Sequence, residues 1–287
     1  MTFLDGNALK QLEAIARSAR WSVVSPKRAP RRGIVTTERW PRHCAYAPGD
    51  DYRQIDWNAC ARHDELWFRP VAPLDDRPWY LLIDCSRSMT TGSPSKWDRA
   101  VRIAAGLGAA ALGRLDRVGA LGFADGVMAV FPPRRGPALC LKLAKFLDQL
   151  QPEGRRADLA AASARLAAWG PPARTVVISD FLAPDGYCRG LDTLRRLGHA
   201  VCAIHLCHHE DAQPNLRGAA ALCDIETGDR LATVLDQRDL AAYRATFDAF
   251  CQSVRSFCER QGIAYHRCWE DVPWQETVFA ATGLGVK

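Results

Sequence analysis

Residues 79–88 read WYLLIDCSRS, and this stretch decides the fold. Trp79 to Ile83 form an unbroken apolar run, and Asp84 follows it directly. A strand buried on both faces of a parallel sheet has this pattern, because both of its side-chain rows face a layer of helices. We therefore predict a central strand over residues 79–84, in a sheet that is covered by helices on both sides.

Downstream of this strand, predicted strands alternate with predicted helices. Residues 174–180 read RTVVISD, a second buried strand that ends in an acid, and the Ala-Asp-Gly turn at 124–126 predicts a hairpin. This alternation predicts an α/β fold over residues 76–287, a doubly wound and mostly parallel sheet of the Rossmann type. The other predicted strands cover residues 117–123, 127–131, 200–206, 221–225 and 263–268. The predicted helices cover residues 96–114, 138–150, 158–169, 187–197, 239–261 and 274–281.

The N-terminal part follows a different pattern. Residues 6–20 predict a short amphipathic helix, with Leu9, Leu12 and Ile15 on one face. Residues 21–75 are rich in proline, have no helical periodicity and contain short β-like pieces at 34–37 and 66–71. The expected division is a helix at 1–20, a partly β extension at 21–75 and the α/β domain at 76–287.

Composition and charge bound the class of protein. The chain has 287 residues, of which 48% are hydrophobic and 24% charged, as in ordinary globular proteins. We see no signal peptide and no membrane span, and the eleven cysteines are an odd number, so we expect a cytoplasmic protein with reduced thiols. Much of the net charge of +6 comes from residues 17–42. No nucleic-acid-reading motif accompanies that basic segment, so nucleic acid is a disfavoured partner.

The residues with the clearest chemistry follow the first buried strand. Asp84, Ser86 and Ser88 place a carboxylate and two hydroxyls at every second position of one loop. Such hard oxygen ligands suit Mg²⁺ or Mn²⁺ rather than zinc. Asp180 ends the second buried strand, and a neighbouring parallel strand would bring its carboxylate to the same edge of the sheet. These four residues are the predicted metal site.

The Asp-x-Ser-x-Ser motif of residues 84–88 resembles the metal-ion-dependent adhesion site of von Willebrand factor A domains. The resemblance implies a Mg²⁺ ion that accepts an acidic group from a partner protein. It also implies an Asp from a third loop, which Asp180 matches, and a Thr from a second loop. Ala157 stands at the Thr position, so the hydroxyl is missing there, but Asp158 follows and would reach the ion through water.

A second resemblance covers the segment before the α/β domain. YAPGDDYRQIDW at 46–57, Ala61-Arg62 and CDIETG at 223–228 are similar to the signature of the bacterial DUF58 family. The resemblance implies a von Willebrand A-like domain, a MoxR-type AAA+ ATPase and its client as partners, and a chaperone-like role in protein assembly or activation. We interpret the polar residues of the first block as structural. The signature residues are Pro48, Gly49, Asp50, Asp51, Arg53, Asp56, Trp57 and Arg62.

Two other functions stay open at this point. One is a metal-dependent phosphoester hydrolase with Asp84 or Cys85 in the chemistry, and the other is a metal-free scaffold with a degenerate site. The segment 202–209, CAIHLCHH, also carries soft metal ligands. On a strand, however, His205 and Cys207 share one face while Cys202 points to the other, which disfavours a four-ligand zinc site.

Overall fold

The computed structural model describes residues 6–23, 44–45, 55, 60–61, 66–68, 77–183, 186–214, 216 and 218–283. By its internal contacts the chain divides into two compact units. One unit comprises Met1–Ala19 together with Arg77–Lys287, and the other comprises Arg20–Asp76. In the second unit, the described strands β1 (Cys44–Ala45) and β2 (Trp67–Phe68) pair antiparallel.

The first unit contains the remaining described elements. Its strands are β3 (Trp79–Asp84), β4 (Arg117–Phe123), β5 (Val127–Arg135), β6 (Arg174–Ser179), β7 (Ala200–Cys207), β8 (Gly218–Cys223), β9 (Arg230–Leu235) and β10 (Ala264–Trp269). Its helices are α1 (Gly6–Val23, which extends past Ala19), α2 (Lys96–Gly113), α3 (Cys140–Gln149), α4 (Leu159–Leu166), α5 (Cys188–Arg196), α6 (His209–Ala212), α7 (Gln237–Arg260) and α8 (Trp274–Thr282). Among the described residues, no helix is both long enough and apolar enough to cross a membrane.

The main sheet has six strands in the order β10-β7-β6-β3-β4-β5. Neighbouring strands run parallel except for β4 and β5, which form the hairpin predicted from the turn at 124–126. Numbered within this sheet along the chain, the order is the 3-2-1-4-5-6 of doubly wound folds. The chain therefore builds outward from β3 to one edge, returns to β6 beside β3, and then builds to the other edge. This is the predicted α/β fold.

Strand β3 is buried on both faces because each of its side-chain rows contacts a separate helix layer. Leu81 and Ile83 belong to one core cluster, to which helices α1, α2, α3 and α8 contribute. Tyr80 and Leu82 belong to a second cluster, to which helices α4, α5 and α7 contribute. A continuous apolar strand was predicted to need helices on both sides, and the two clusters confirm it.

Three elements in the C-terminal half of the chain differ from the sequence prediction. The strand predicted at 221–225 spans Gly218–Cys223, and it pairs antiparallel with β9, which was not predicted. The short helix α6 was not predicted either. Both strands of the hairpin are largely exposed, so they lack the alternation of buried and exposed side chains by which a strand is recognised in sequence.

Candidate metal site at the strand switch point

The predicted site lies where the strand order of the sheet reverses. Strands β3 and β6 are parallel neighbours, with Ile83 opposite Ile178, so Asp84 and Asp180 emerge at the same carboxyl edge. Both acids are almost completely buried. Crevices of this kind, outside the carboxyl ends of the strands at a switch point, are where doubly wound folds bind ligands.

The oxygens of the loop after β3 are already close to one another. Asp84 Oδ1 accepts hydrogen bonds from Ser86 N at 2.8 Å and from Ser86 Oγ at 2.6 Å. Ser86 Oγ lies 3.0 Å from Ser88 Oγ. Adjacent ligands of an octahedral Mg²⁺, each about 2.1 Å from the ion, would be about 3 Å apart. The donor set and its spacing therefore fit a small hard cation.

Strand β6 supplies a further contact to the same carboxylate. Ser179 Oγ donates to Asp84 Oδ2 at 2.5 Å, and the backbone N–H of Phe181 donates to Ser179 Oγ. Burial and the nearby charge of Asp180 nevertheless raise the pKa of Asp84 to about 6, although its hydrogen bonds to Ser179 and Ser86 oppose that shift. Two buried acids that repel each other favour a cation between or beside them.

The loop before α4 is joined to the loop after β3 through backbone contacts. Ser86 and Gly154 form a parallel β-bridge, Arg87 N donates to Gly154 O at 2.9 Å, and Gly154 N donates to Cys85 O at 3.1 Å. The two loops are thus held side by side at the site.

Asp158 lies at the end of that second loop and caps helix α4. Its Oδ1 accepts a hydrogen bond from Ala161 N at 2.9 Å, which satisfies one of the free donors at the start of the helix. Ala157 packs against the apolar cluster beneath α4 and offers no hydroxyl. Asp158 therefore has a structural function in capping, and its predicted contact to an ion through water stays a prediction.

Lys96 is a functional neighbour that the sequence analysis missed. It is buried at the start of α2, and its Nζ lies 2.7 Å from Asp180 Oδ2 and 3.0 Å from Asp211 Oδ2. Burial acts to lower the pKa of Lys96, but the charges of Asp180 and Asp211 outweigh it, and the net shift is upward. Lys96 therefore stays protonated and supplies a fixed positive charge beside the site.

Glu226, at the tip of the β8–β9 hairpin, is a second neighbour of the site. Partial burial and the charges of Asp180 and Asp84 raise its pKa to about 7. A groove of about 570 Å³ runs between the hairpin tip and the site loops, and its walls are mildly basic, because three arginines outnumber one Asp and one Glu. The lining residues are Arg87, Asp125, Arg155, Arg156, Glu226 and Thr227.

Cys85 does not have the exposed position that a nucleophile requires. Its side chain is fully buried in the core cluster on the α2 side of the sheet, and its Sγ lies 3.5 Å from Ile83 O. Burial, followed by the charge of Asp84, holds its thiol pKa far above the usual range. The hydrolase alternative with Cys85 in the chemistry is therefore not supported, because the alternation that continues from β3 directs the Cys85 side chain into the core.

The sequence contained a signal for some of these residues. Ser179 precedes Asp180 in the second buried strand, so a polar side chain near Asp84 could have been anticipated. Lys96 and Glu226 left no such signal, because their proximity depends on the packing of α2 and of the hairpin. The signature residues Pro48, Gly49, Asp50, Asp51, Arg53, Asp56, Trp57 and Arg62 lie outside the described residues, as does most of the basic segment 17–42.

Comparison with known proteins gives a family but no activity. A family model described as "Protein of unknown function DUF58" matches residues 43–256. Uncharacterized proteins of Mycobacterium bovis and Mycobacterium tuberculosis are 32% identical over 192 residues, which are 64% of this chain. The chain spans 59% of the length of these relatives.

Two solved structures are similar to most of the chain, at low sequence identity. They are BatB from Bacteroides thetaiotaomicron, with 16% identity, and an aerotolerance-related membrane protein from Bacteroides fragilis, with 17% identity. Each comparison covers 72% of this chain and 97% of the other, with a TM-score of 0.46.

Proposed function

The chain belongs to the DUF58 family, whose function is unknown, and from its site we propose that it is a non-catalytic protein-interaction module. In this proposal, a Mg²⁺ ion at Asp84, Ser86, Ser88 and Asp180 binds an acidic group on a partner protein. The fold is interpreted as von Willebrand A-like and the site as an adhesion-type metal site.

The observation that carries the proposal is the position of the four oxygen side chains beside a basic groove. Asp84, Ser86 and Ser88 offer a carboxylate and two hydroxyls, and Ser86 Oγ lies within hydrogen-bond distance of each of the other two. The adjoining groove is lined by Arg87, Arg155 and Arg156. An acidic group that enters there would meet guanidinium groups, which bind carboxylates well.

The residues around the ion have separate roles in this proposal. Asp84, Ser86 and Ser88 would hold Mg²⁺, with Mn²⁺ as a substitute, and the bound ion would supply an electropositive centre with open positions. Asp180 would contact the ion directly or through water, as would Asp158. Because Lys96 already neutralises part of the charge of Asp180, the protein itself would leave the ion with few negative ligands. Such an ion attracts an external carboxylate strongly.

The partner is proposed from the family resemblance alone. The resemblance to DUF58 proteins implies a MoxR-type AAA+ ATPase, which often accompanies them, so we propose such an ATPase and its client as partners in protein assembly or activation. The basic groove is compatible with an acidic segment on either of them.

A metal-free scaffold is the second candidate, and a specific observation favours it. Lys96 Nζ contacts Asp180 at 2.7 Å, where it already provides a buried positive charge. Ala157 lacks the hydroxyl that the adhesion-type motif carries. In this alternative the basic groove binds its partner without an ion.

Calorimetric titration of Mg²⁺ and Mn²⁺ into chelator-treated protein separates the two candidates. We expect saturable binding to the wild type, no binding to Asp84→Ala, and wild-type binding to Asp192→Ala. Asp192 is a suitable control because it lies on α5 and forms an ion pair with Arg196 four residues along the helix. Absence of binding to the wild type would reject the ion-dependent proposal in favour of the scaffold.

The partner is tested separately with the MoxR-type ATPase of the same organism. We expect Asp84→Ala to abolish binding that is measured in Mg²⁺, while its far-ultraviolet circular dichroism stays that of the wild type. Equal binding by wild type and variant would contradict a role of the ion in partner recognition.

A further inference from the structure

A cluster of soft metal ligands lies one strand away from the site described above. His205 and Cys207 are on β7 and Cys251 is on α7, and their potential ligand atoms all lie within 4.8 Å of one another. Their side chains are 1%, 3% and 2% exposed. Cys251 is more than forty positions away from the other two in the sequence, and the packing of α7 on the sheet brings it to them.

The alternation of side chains along β7 explains which residues of the segment 202–209 belong to the cluster. His205 and Cys207 are two positions apart and share the face that contacts α7, where Cys207, Phe247 and Cys251 form a small core cluster of their own. Cys202 packs instead against the cluster on the opposite face of the sheet. The segment 202–209 therefore contributes only two ligands, and the third comes from the helix.

Two thiols and an imidazole are the ligands that zinc prefers and Mg²⁺ does not. In a tetrahedral zinc site, with Zn–S of about 2.3 Å and Zn–N of about 2.0–2.1 Å, ligand atoms are about 3.5–4 Å apart. The observed separations exceed this by about 1 Å at most, a difference that small side-chain rotations remove. We propose that His205, Cys207 and Cys251 bind one Zn²⁺ ion.

The imidazole of His205 is held in place by Tyr265, by two aromatic rings and by a hydrogen bond to the backbone of Asp180, which an ion bound at that nitrogen would replace. Its Nδ1 lies 2.8 Å from the hydroxyl of Tyr265, and the rings of Phe181 and Phe250 meet it edge-on at centroid distances of 5.4 Å and 5.9 Å. Ligating histidines commonly use one ring nitrogen for the metal and the other for such a hydrogen bond. Tyr265 is therefore a positioning residue of the proposed site.

A surface groove gives access to the cluster. It has a volume of about 450 Å³ and is lined by Cys251, Tyr265 and Arg267, with Asp248 among its polar residues. Zn²⁺ would enter from this side, and the fourth coordination position would face the groove, where water or an external ligand completes it.

Substitution with Co²⁺ tests the proposal, because Co²⁺ bound by thiolates has charge-transfer absorption in the near ultraviolet and intense visible bands when it is tetrahedral. The full-length, chelator-treated and reduced protein is titrated with Co²⁺ and then with Zn²⁺. We expect one Co²⁺ per chain with both signals, and their stoichiometric loss when Zn²⁺ displaces it.

Cysteine variants locate the ion. We expect Cys251→Ser and Cys207→Ser to weaken Zn²⁺ binding by more than the roughly 10–100-fold that loss of an outer partner costs, and Tyr265→Phe to weaken it within that range. Cys258→Ser is the matched control, since Cys258 is a buried thiol on the same helix and outside the cluster. Thermal unfolding of each variant without metal establishes that it is folded.

The results of the Co²⁺ and Zn²⁺ titrations can be distinguished from binding at the proposed Mg²⁺ site. Retention of the Co²⁺ spectrum in Asp84→Ala supports a separate zinc site. Absence of thiolate absorption in the folded, reduced wild type would overturn the proposal, as would a spectrum that Cys258→Ser loses and Cys251→Ser keeps. Neither result depends on whether Mg²⁺ binds at Asp84.

Discussion

At the scale of the residue, Asp84 combines complete burial with a negative charge. The pKa of Asp84 is raised from its ordinary value of 3.8 to about 6 by burial and by Asp180. The folded protein thus binds this proton more tightly than the unfolded chain does, and the free energy of unfolding falls as pH rises from about 4 to about 6. The charge lowers stability at neutral pH unless a cation compensates it.

We therefore predict that Asp84→Asn stabilises the metal-free protein above pH 6. The neutral amide keeps the shape, and the gain at pH 8 should be on the order of 2–3 kcal/mol, shrinking toward zero near pH 4. Urea unfolding at both pH values measures it, with Asp192→Asn as the control. A gain that is equal at both pH values would show that charge burial is not its cause.

At the scale of the element, the two site loops depend on a close backbone approach. A Cβ at Gly154 would lie 2.0 Å from the Cβ of Ala124 and 3.3 Å from Cys85 O. Any side chain there pushes the loop before α4 away from Ala124, in the turn after β4, and crowds the backbone of the loop after β3. The bridge between Ser86 and Gly154, which positions the serine hydroxyls, therefore requires glycine.

This requirement predicts that Gly154→Ala lowers the free energy of unfolding by about 1–3 kcal/mol, as overpacking commonly does. The amide of Arg87, which donates to Gly154 O, should exchange its hydrogen faster in the variant. Gly126→Ala is the matched control, because a Cβ at Gly126 meets nothing within 4 Å. If the two variants were equally stable, the close approach would not matter.

At the scale of the whole molecule, the first nineteen residues belong to the same compact unit as the α/β sheet, although residues 20–76 separate them along the chain. Leu12, Ile15 and Ala19 of α1 are buried in the core cluster that also contains α2. A Cβ at Gly113 of α2 would come within 2.5 Å of Ala16 O, so the two helices pack closely. Helix α1 is therefore part of the α/β core.

Removal of one core side chain of α1 tests this organisation. We predict that Ile15→Ala lowers the free energy of unfolding of the α/β unit by about 2–4 kcal/mol. Glu13→Ala, at an exposed position of the same helix, should change it by less than about 0.5 kcal/mol. Equal unfolding midpoints for the two variants in a denaturant titration would mean that α1 does not contribute to the core.

The sequence by itself determined the class of fold, and it predicted the place of the candidate metal site. The apolar run of β3 is typical of a strand covered on both sides, and the turn at 124–126 favours a tight reversal. The two acids at the ends of buried strands mark one edge of the sheet. These features are local, because burial and turn geometry restrict residue type at each position. The hairpin strand β9 escaped prediction because its exposed side chains are under no such restriction.

Only the tertiary structure decided which distant residues meet. It buried Cys85, placed Lys96 on Asp180, brought the tip carrying Glu226 toward the site, and completed the His205–Cys207 pair with Cys251 from another element. Contacts of this kind depend on the orientation of a helix or hairpin relative to the sheet. The free energy that fixes those orientations is spread over many apolar contacts, so no single stretch of sequence records it.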